Sequence, residues 1–125
     1  MNENEIARII VDSCLKIHKA LGPGLLESVY EEVLAYELTQ RGLKVERQKQ
    51  LPVIYNDMKM KVGFRLDLLV ENKVIVELKS VEALAPIMFK ITTNYLKLSD
   101  KKLALLVNFN VELIKNGIKR IVNGL

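Results

Sequence analysis

Ile6, Ile9, Ile10, Cys14, Ile17 and Leu21 recur at steps of three and four, which predicts an amphipathic helix from about Asn4 to Ala20. Asn2 or Asn4 supplies its cap, and Gly22-Pro23-Gly24 ends it. A second helix is predicted from about Leu25 to Arg41, with Leu26, Val29, Tyr30, Val33, Leu34 and Leu38 on its apolar side and Gly42 as its stop. The period then falls to two. Leu43 and Val45 alternate with Lys44 and Glu46, and Met58, Met60 and Val62 with Lys59 and Lys61. Asn56-Asp57 between them reads as a hairpin turn, and Gly63 as a bulge or a close backbone approach.

Two apolar-rich strands follow, Phe64–Val70 and Val74–Lys79, joined by Glu71-Asn72-Lys73. Pro86 suits the first turn of a third helix, reaching about Leu98, with Ile87, Ile91, Tyr95 and Leu98 on one stripe. Leu103–Asn108 is the continuous apolar run of a strand covered on both faces. Asn116-Gly117 marks a turn before a short strand, Ile118–Val122. The order predicts a single α/β domain over residues 1–125, a mixed sheet with helices on it. No phosphate-binding glycine loop is present, so a nucleotide fold is not expected.

Composition narrows the chemistry. Half of the 125 residues are hydrophobic and 27% are charged, an ordinary globular balance that also accommodates a homodimer. With one cysteine and one histidine, neither a disulfide framework nor a four-ligand zinc site can form. Cys14 and His18 lie four residues apart in an apolar helical pattern, where a packed thiol is the stronger reading than a catalytic pair. The acidic start, Met1 to Glu5, is unlike a secretory signal, and the longest apolar run, Leu103 to Val107, is far below the roughly 18 residues of a membrane span. The expectation is a soluble, cytoplasmic protein.

The net charge of +4 says little until it is divided. Residues 1–40 carry −4, residues 41–65 carry +5, residues 66–86 carry −2 and residues 87–125 carry +5. An acidic island (Asp67, Glu71, Glu77, Glu82) thus lies between two basic segments. It reads either as ordinary solvated faces or as a cation-binding centre flanked by surfaces for a polyanion.

Strand parity brings two of these acids together. Phe64, Leu66, Leu68 and Val70 point one way and Arg65, Asp67 and Leu69 the other; Val74, Val76 and Leu78 oppose Ile75, Glu77 and Lys79. A three-residue loop pairs Val70 with Val74 and therefore Asp67 with Glu77, with Cβ atoms about 5 Å apart. Two carboxylates so placed need a cation. Lys79 and Arg65 on the diagonals would make an ion-pair lattice. Alternatively a divalent cation would take both carboxylates and the Leu78 backbone carbonyl, the hard oxygen set that magnesium prefers. Spacing leaves both open.

Asp67 followed by Glu77-Leu78-Lys79, on adjacent strands between helices, resembles the PD-(D/E)XK nuclease superfamily. Gly24-Leu25-Leu26-Glu27-Ser28-Val29-Tyr30 reads G-x-x-E-x-x-Y, and with Leu21-Gly22-Pro23 before it and Phe64–Val70 after it is similar to the small GxxExxY proteins. The resemblance runs from about Ile6 to Asn123. It implies a restriction-endonuclease-like core of helix, three-stranded meander, crossover helix and further strand, preceded by an extra helix. It implies a metal-dependent phosphodiesterase acting on nucleic acid, DNA or RNA, with Mg²⁺ or Mn²⁺ as cofactor. Asp67 and Glu77 would be metal ligands with the Leu78 carbonyl. Lys79 would orient the attacking water and stabilise phosphate charge, and Glu27 would be a third acid acting through water or Lys79. Tyr30 reads first as packing with a hydroxyl partner and second as an accessory site residue; Arg65 and Lys90 are further accessory candidates. Related proteins often carry glutamine or histidine on the helix after the lysine, where Met88 and Ile91 stand here. Lys90 or Thr92 would then take that role, or the chain is an impaired nuclease-fold module that binds nucleic acid or a protein partner.

Overall fold

The computed structural model describes residues 1–125. Helix α1 (Glu3–Leu21) begins at a capping box, in which Asn2 and Glu5 each accept the other's backbone N–H. Helix α2 (Glu27–Gln40) starts two residues later than its apolar pattern suggests, because Leu26 holds an extended conformation at the end of the Gly-Pro-Gly loop. The strands are β1 (Val45–Leu51), β2 (Ile54–Tyr55), β3 (Met58–Lys59), β4 (Phe64–Val70) and β5 (Val74–Lys79). Helix α3 (Pro86–Ser99, with proline at its first turn), β6 (Leu103–Asn108) and β7 (Ile118–Val122) complete the chain. No helix is long and apolar enough to cross a membrane.

Five strands form one mixed sheet in the order β1-β4-β5-β6-β7. β1, β4 and β5 are an antiparallel meander, α3 crosses over, β6 runs parallel to β5, and β7 returns antiparallel. β6 is buried along its whole length, as its unbroken apolar sequence requires. The larger core lies on one face, where Ile6, Ile10, Cys14 and Ile17 of α1 and Tyr30, Leu34 and Leu38 of α2 cover Leu68, Val70, Val76, Leu78, Leu105 and Val107. A smaller cluster, Leu69, Ile75, Ala104 and Leu66, meets Leu96 of α3 on the other face.

Four expectations change. Met58, Met60 and Val62 do not join the main sheet: Asn56-Asp57, both at positive φ, closes a separate β2–β3 ribbon whose side chains are exposed. Leu66 and Phe64 leave the parity group of Leu68 and Val70. The β4–β5 ladder ends at Leu68↔Val76, and the freed half of β4 twists toward α3, where Phe64 stacks on Tyr95 at 4.9 Å. α2 buries Tyr30, Glu31, Leu34, Ala35 and Leu38 and leaves Leu26 and Val29 exposed. α3 buries Thr92 and Leu96 and exposes Ile87, Ile91 and Leu98, because the small apolar cluster beneath it covers only part of the helix's broad apolar stripe.

Candidate active site

The pairing Val70↔Val74 carries Asp67 opposite Glu77, as the loop length requires. There the two backbones no longer bond to each other. The Asp67 N–H donates to the Glu77 Oε2 at 2.8 Å, and the Leu78 N–H donates to the Asp67 Oδ2 at 2.8 Å. The carboxylates therefore replace the ladder bonds that β4 and β5 give up where they part. Each spends one oxygen in this way. No buried polar side-chain atom lacks a partner, so the second, unbonded oxygen of each carboxylate reaches the surface.

Burial disfavours the charged form of both acids. Burial and the Asp67 carboxylate push Glu77 up to about 8, against the hydrogen bond from Asp67 N–H and the pull of Lys79. Burial also raises Asp67, opposed by the Leu78 N–H and Lys79 and reinforced by Glu31 and Glu27. Neither carboxylate forms an ion pair, and neither Lys79 nor Arg65 belongs to any of the five ion pairs in the molecule. The diagonal lattice of charges is therefore absent. The donor set of two carboxylates, each with a free oxygen, fits the one or two carboxylates plus waters by which Mg²⁺ is commonly held. No third His, Cys, Asp or Glu closes on them.

Lys79 ends β5, half-buried, with its carbonyl accepting from the Phe109 N–H at 3.0 Å. The next residue ties in the second helix: Ser80 Oγ donates to the Leu25 carbonyl at 2.6 Å. Glu27 is exposed at the first position of α2 and lines a cavity of about 480 Å³ with Ser80 and Asn110. Its charge reaches Asp67. Tyr30 is fully buried, stacked on Phe109 at 4.3 Å, and its hydroxyl donates to the Gly22 carbonyl (2.6 Å) and accepts from the Leu25 N–H (3.2 Å). Gly24 between them sits at φ +97°, which a side chain rarely adopts. The G-x-x-E-x-x-Y run is thus a loop-to-helix lock that holds Glu27 over the end of β5.

Arg65 is exposed two residues before Asp67, and Lys90 is exposed on α3. Thr92 is buried, its hydroxyl bonded to the Met88 carbonyl at 2.8 Å. From α3 it is Tyr95 that feels the site: burial, Glu77 and Asp67 all raise its hydroxyl. Met88 and Ile91 lie two turns and one turn before it on the same stripe. Cys14 stands apart, its thiol pushed up to about 12 by burial, while His18 Nε2 lies 2.8 Å from the Val111 carbonyl; the pair is packing.

Three neighbours were not singled out as site residues in the sequence. Glu31, buried one turn after Glu27, accepts from Arg47 Nε at 3.2 Å and Nη2 at 3.1 Å, and from the Gln48 amide. Gln48 opposes Asp67 across β1–β4 at φ +49°, a left-handed conformation that interrupts the ladder between Arg47↔Leu68 and Lys49↔Leu66. The third neighbour is Tyr95. An acid in register with Glu27 on the helix was the available signal for Glu31; the Gln48 backbone left none.

The family model of the PD-(D/E)XK nuclease superfamily matches residues 4–121. No curated protein and no solved structure matches the chain.

Proposed function

Because the chain belongs to the PD-(D/E)XK nuclease superfamily, we propose that it hydrolyses phosphodiester bonds of nucleic acid at Asp67, Glu77 and Lys79. The carrying observation is the facing carboxylate pair, cross-bonded to the opposite backbones with one free oxygen apiece and no cationic side chain between them. Asp67 and Glu77 would hold Mg²⁺ or Mn²⁺, with the Leu78 carbonyl as the third oxygen. When bound, such an ion polarises a phosphate and lowers the pKa of water.

The chain's own groups supply the rest. The backbone N–H groups of Asp67 and Leu78 fix the orientation of both carboxylates before any ligand arrives. Lys79, free of ion pairs, orients the attacking water and offsets charge on the phosphate. Glu27 adds a third acid from α2, and the basic segments on either side bind the backbone of the substrate. We read the Gly24, Glu27 and Tyr30 lock as the mark of a GxxExxY-type member and the chain as cytoplasmic. Met88 and Ile91, apolar on the stripe that leads to Tyr95, favour a second reading: a binding module of nuclease fold without turnover.

Purified protein incubated with single- and double-stranded DNA and RNA, with Mg²⁺ or Mn²⁺, separates the two. Metal-dependent cleavage that an Asp67→Ala/Lys79→Ala variant loses is the expected outcome. Equal cleavage by that variant would identify a contaminant, and salt-dependent binding without turnover would favour the module.

A further inference from the structure

We infer that the β2–β3 ribbon and the cavity at its base bind single-stranded nucleic acid and feed it along β4 toward Asp67, a substrate class that deepens the proposed activity and rests on it. The cavity, about 590 Å³, is lined by Lys59, Lys61 and Arg65 together with Leu51, Met60 and Phe64. That volume lies within the range of about 300–1,000 Å³ usual for small-ligand pockets, room for an unstacked base and its phosphate rather than for a duplex. None of the three cations forms an ion pair. Glu46, one of the two acids of the basic segment 41–65, is held by Lys49 at 2.8 Å.

The ribbon is held in place. A Cβ at Gly63 would collide with the Leu51 carbonyl, so the returning chain passes against the end of β1, and Met60 N–H closes on the Val53 carbonyl at 2.8 Å. Beyond that pinch the side chains are not those of a solvated hairpin. Tyr55 is 67% exposed, Met58 64% and Val62 79%. By cross-strand pairing Tyr55 and Met58 share one side of the ribbon, and Ile54 and Lys59 the other. A single strand that wraps this two-stranded ribbon meets cations for its backbone on one side and exposed aromatic and apolar groups for its bases on the other, the two parts of a single-strand site. A duplex could satisfy the lysines, but its stacked bases would leave Tyr55 and Met58 uncovered. Arg65 then leads to the carboxylates, since it lies two residues before Asp67 in β4, about 7 Å along the strand.

Fluorescence anisotropy in EDTA tests binding without turnover, with labelled single-stranded DNA and RNA of about 16 nucleotides and the matching duplexes. A Lys59→Ala/Lys61→Ala variant is expected to bind single strands about tenfold or more weakly, with a log–log salt slope shallower by about 1.4 for two lost phosphate contacts. Tyr55→Ala is expected to weaken single strands about tenfold at unchanged slope, and duplex hardly at all. All three side chains are exposed, so the fold should survive, which circular dichroism checks. Unchanged single-strand affinity and slope in the lysine variant would overturn the inference, as would equal losses on duplex with Tyr55→Ala. Wild-type protein that binds through the ribbon yet never cleaves would remove the nuclease reading and leave this one. Cleavage that proceeds unaltered in the lysine variant would do the reverse.

Discussion

Glu77 is where burial, charge and hydrogen bonding conflict most directly. It is 6% exposed, opposite a second carboxylate, and held up to about 8 from an ordinary value of 4.5. In metal-free protein this makes stability fall with pH. Below the ordinary carboxylate range Glu77 is protonated in folded and unfolded chains alike, and it costs the fold nothing. As pH rises from 4.5 toward 8 the unfolded chain releases the proton while the folded chain retains it, so unfolding gains. Above that window the fold carries the full cost of a buried anion beside Asp67. Glu77→Gln removes the titration, and its amide oxygen can still accept the Asp67 N–H. In EDTA the variant should melt above the wild type near pH 8, and the two should converge toward about pH 4.5. Glu37 and Glu46, lowered by hydrogen bonds from Arg41 and Lys49 respectively, act in the opposite sense in both proteins and cancel in the difference. Parallel melting curves across the window would show that Glu77 is not held protonated.

At the scale of elements, the run from Gly22 to Tyr30 shows how a short motif fixes the turn between two helices and the start of the second. The Tyr30 hydroxyl closes the turn between α1 and α2 from both sides, through the Gly22 carbonyl and the Leu25 N–H. Tyr30→Phe keeps the stacking on Phe109 and deletes only this bridge, leaving two backbone groups short of a partner. The expected loss is about 2 kcal/mol in denaturant unfolding, with faster hydrogen exchange at Leu25; an unchanged midpoint would reduce Tyr30 to packing alone. Its burial and hydroxyl partner were legible in the sequence, as were β4, β5, β6 and β7, residue for residue, because unbroken apolar runs and short loops dictate them. The facing of Asp67 and Glu77 was legible for the same reason, a period of two closed by three loop residues. Helix rotation was not. Amphipathic stripes on α2 and α3 are broad, and the contour of the sheet selected Tyr30–Leu34–Leu38 and Thr92–Leu96 from among several apolar alternatives. That choice brought Glu31 and Tyr95 toward the carboxylates. Gln48 could not be anticipated either, since its positive φ is imposed by the structure and not signalled by a glycine.

At the scale of the molecule, the accessible surface is 7515 Å², against about 6,800 Å² expected for a folded chain of 14.3 kDa. The projecting ribbon, exposed at every residue from Ile54 to Gly63, is a natural source of that excess. The alternation of Met58, Met60 and Val62 promised a sheet strand because period two reports a strand and not what covers it. The remainder of the molecule is organised around the acidic pair. β4 and β5 are interior strands of the sheet, both helical layers pack on them, and the two carboxylates stand in for the bonds between them. A cation taken by Asp67 and Glu77 should therefore stabilise the whole cooperative unit. At one hundred times its dissociation constant a ligand specific for the folded state contributes about 2.7 kcal/mol, enough to raise the melting temperature by several degrees. Thermal melts with increasing Mn²⁺ should show that rise for the wild type, and little or none for an Asp67→Asn/Glu77→Gln variant, whose amides keep the hydrogen bonds and lose the anionic ligands. An equal rise in both proteins would assign the effect to the outer surface. No rise in the wild type at millimolar Mn²⁺, while the double variant melts higher than the wild type, would mean that the pair burdens the fold without a cation to relieve it.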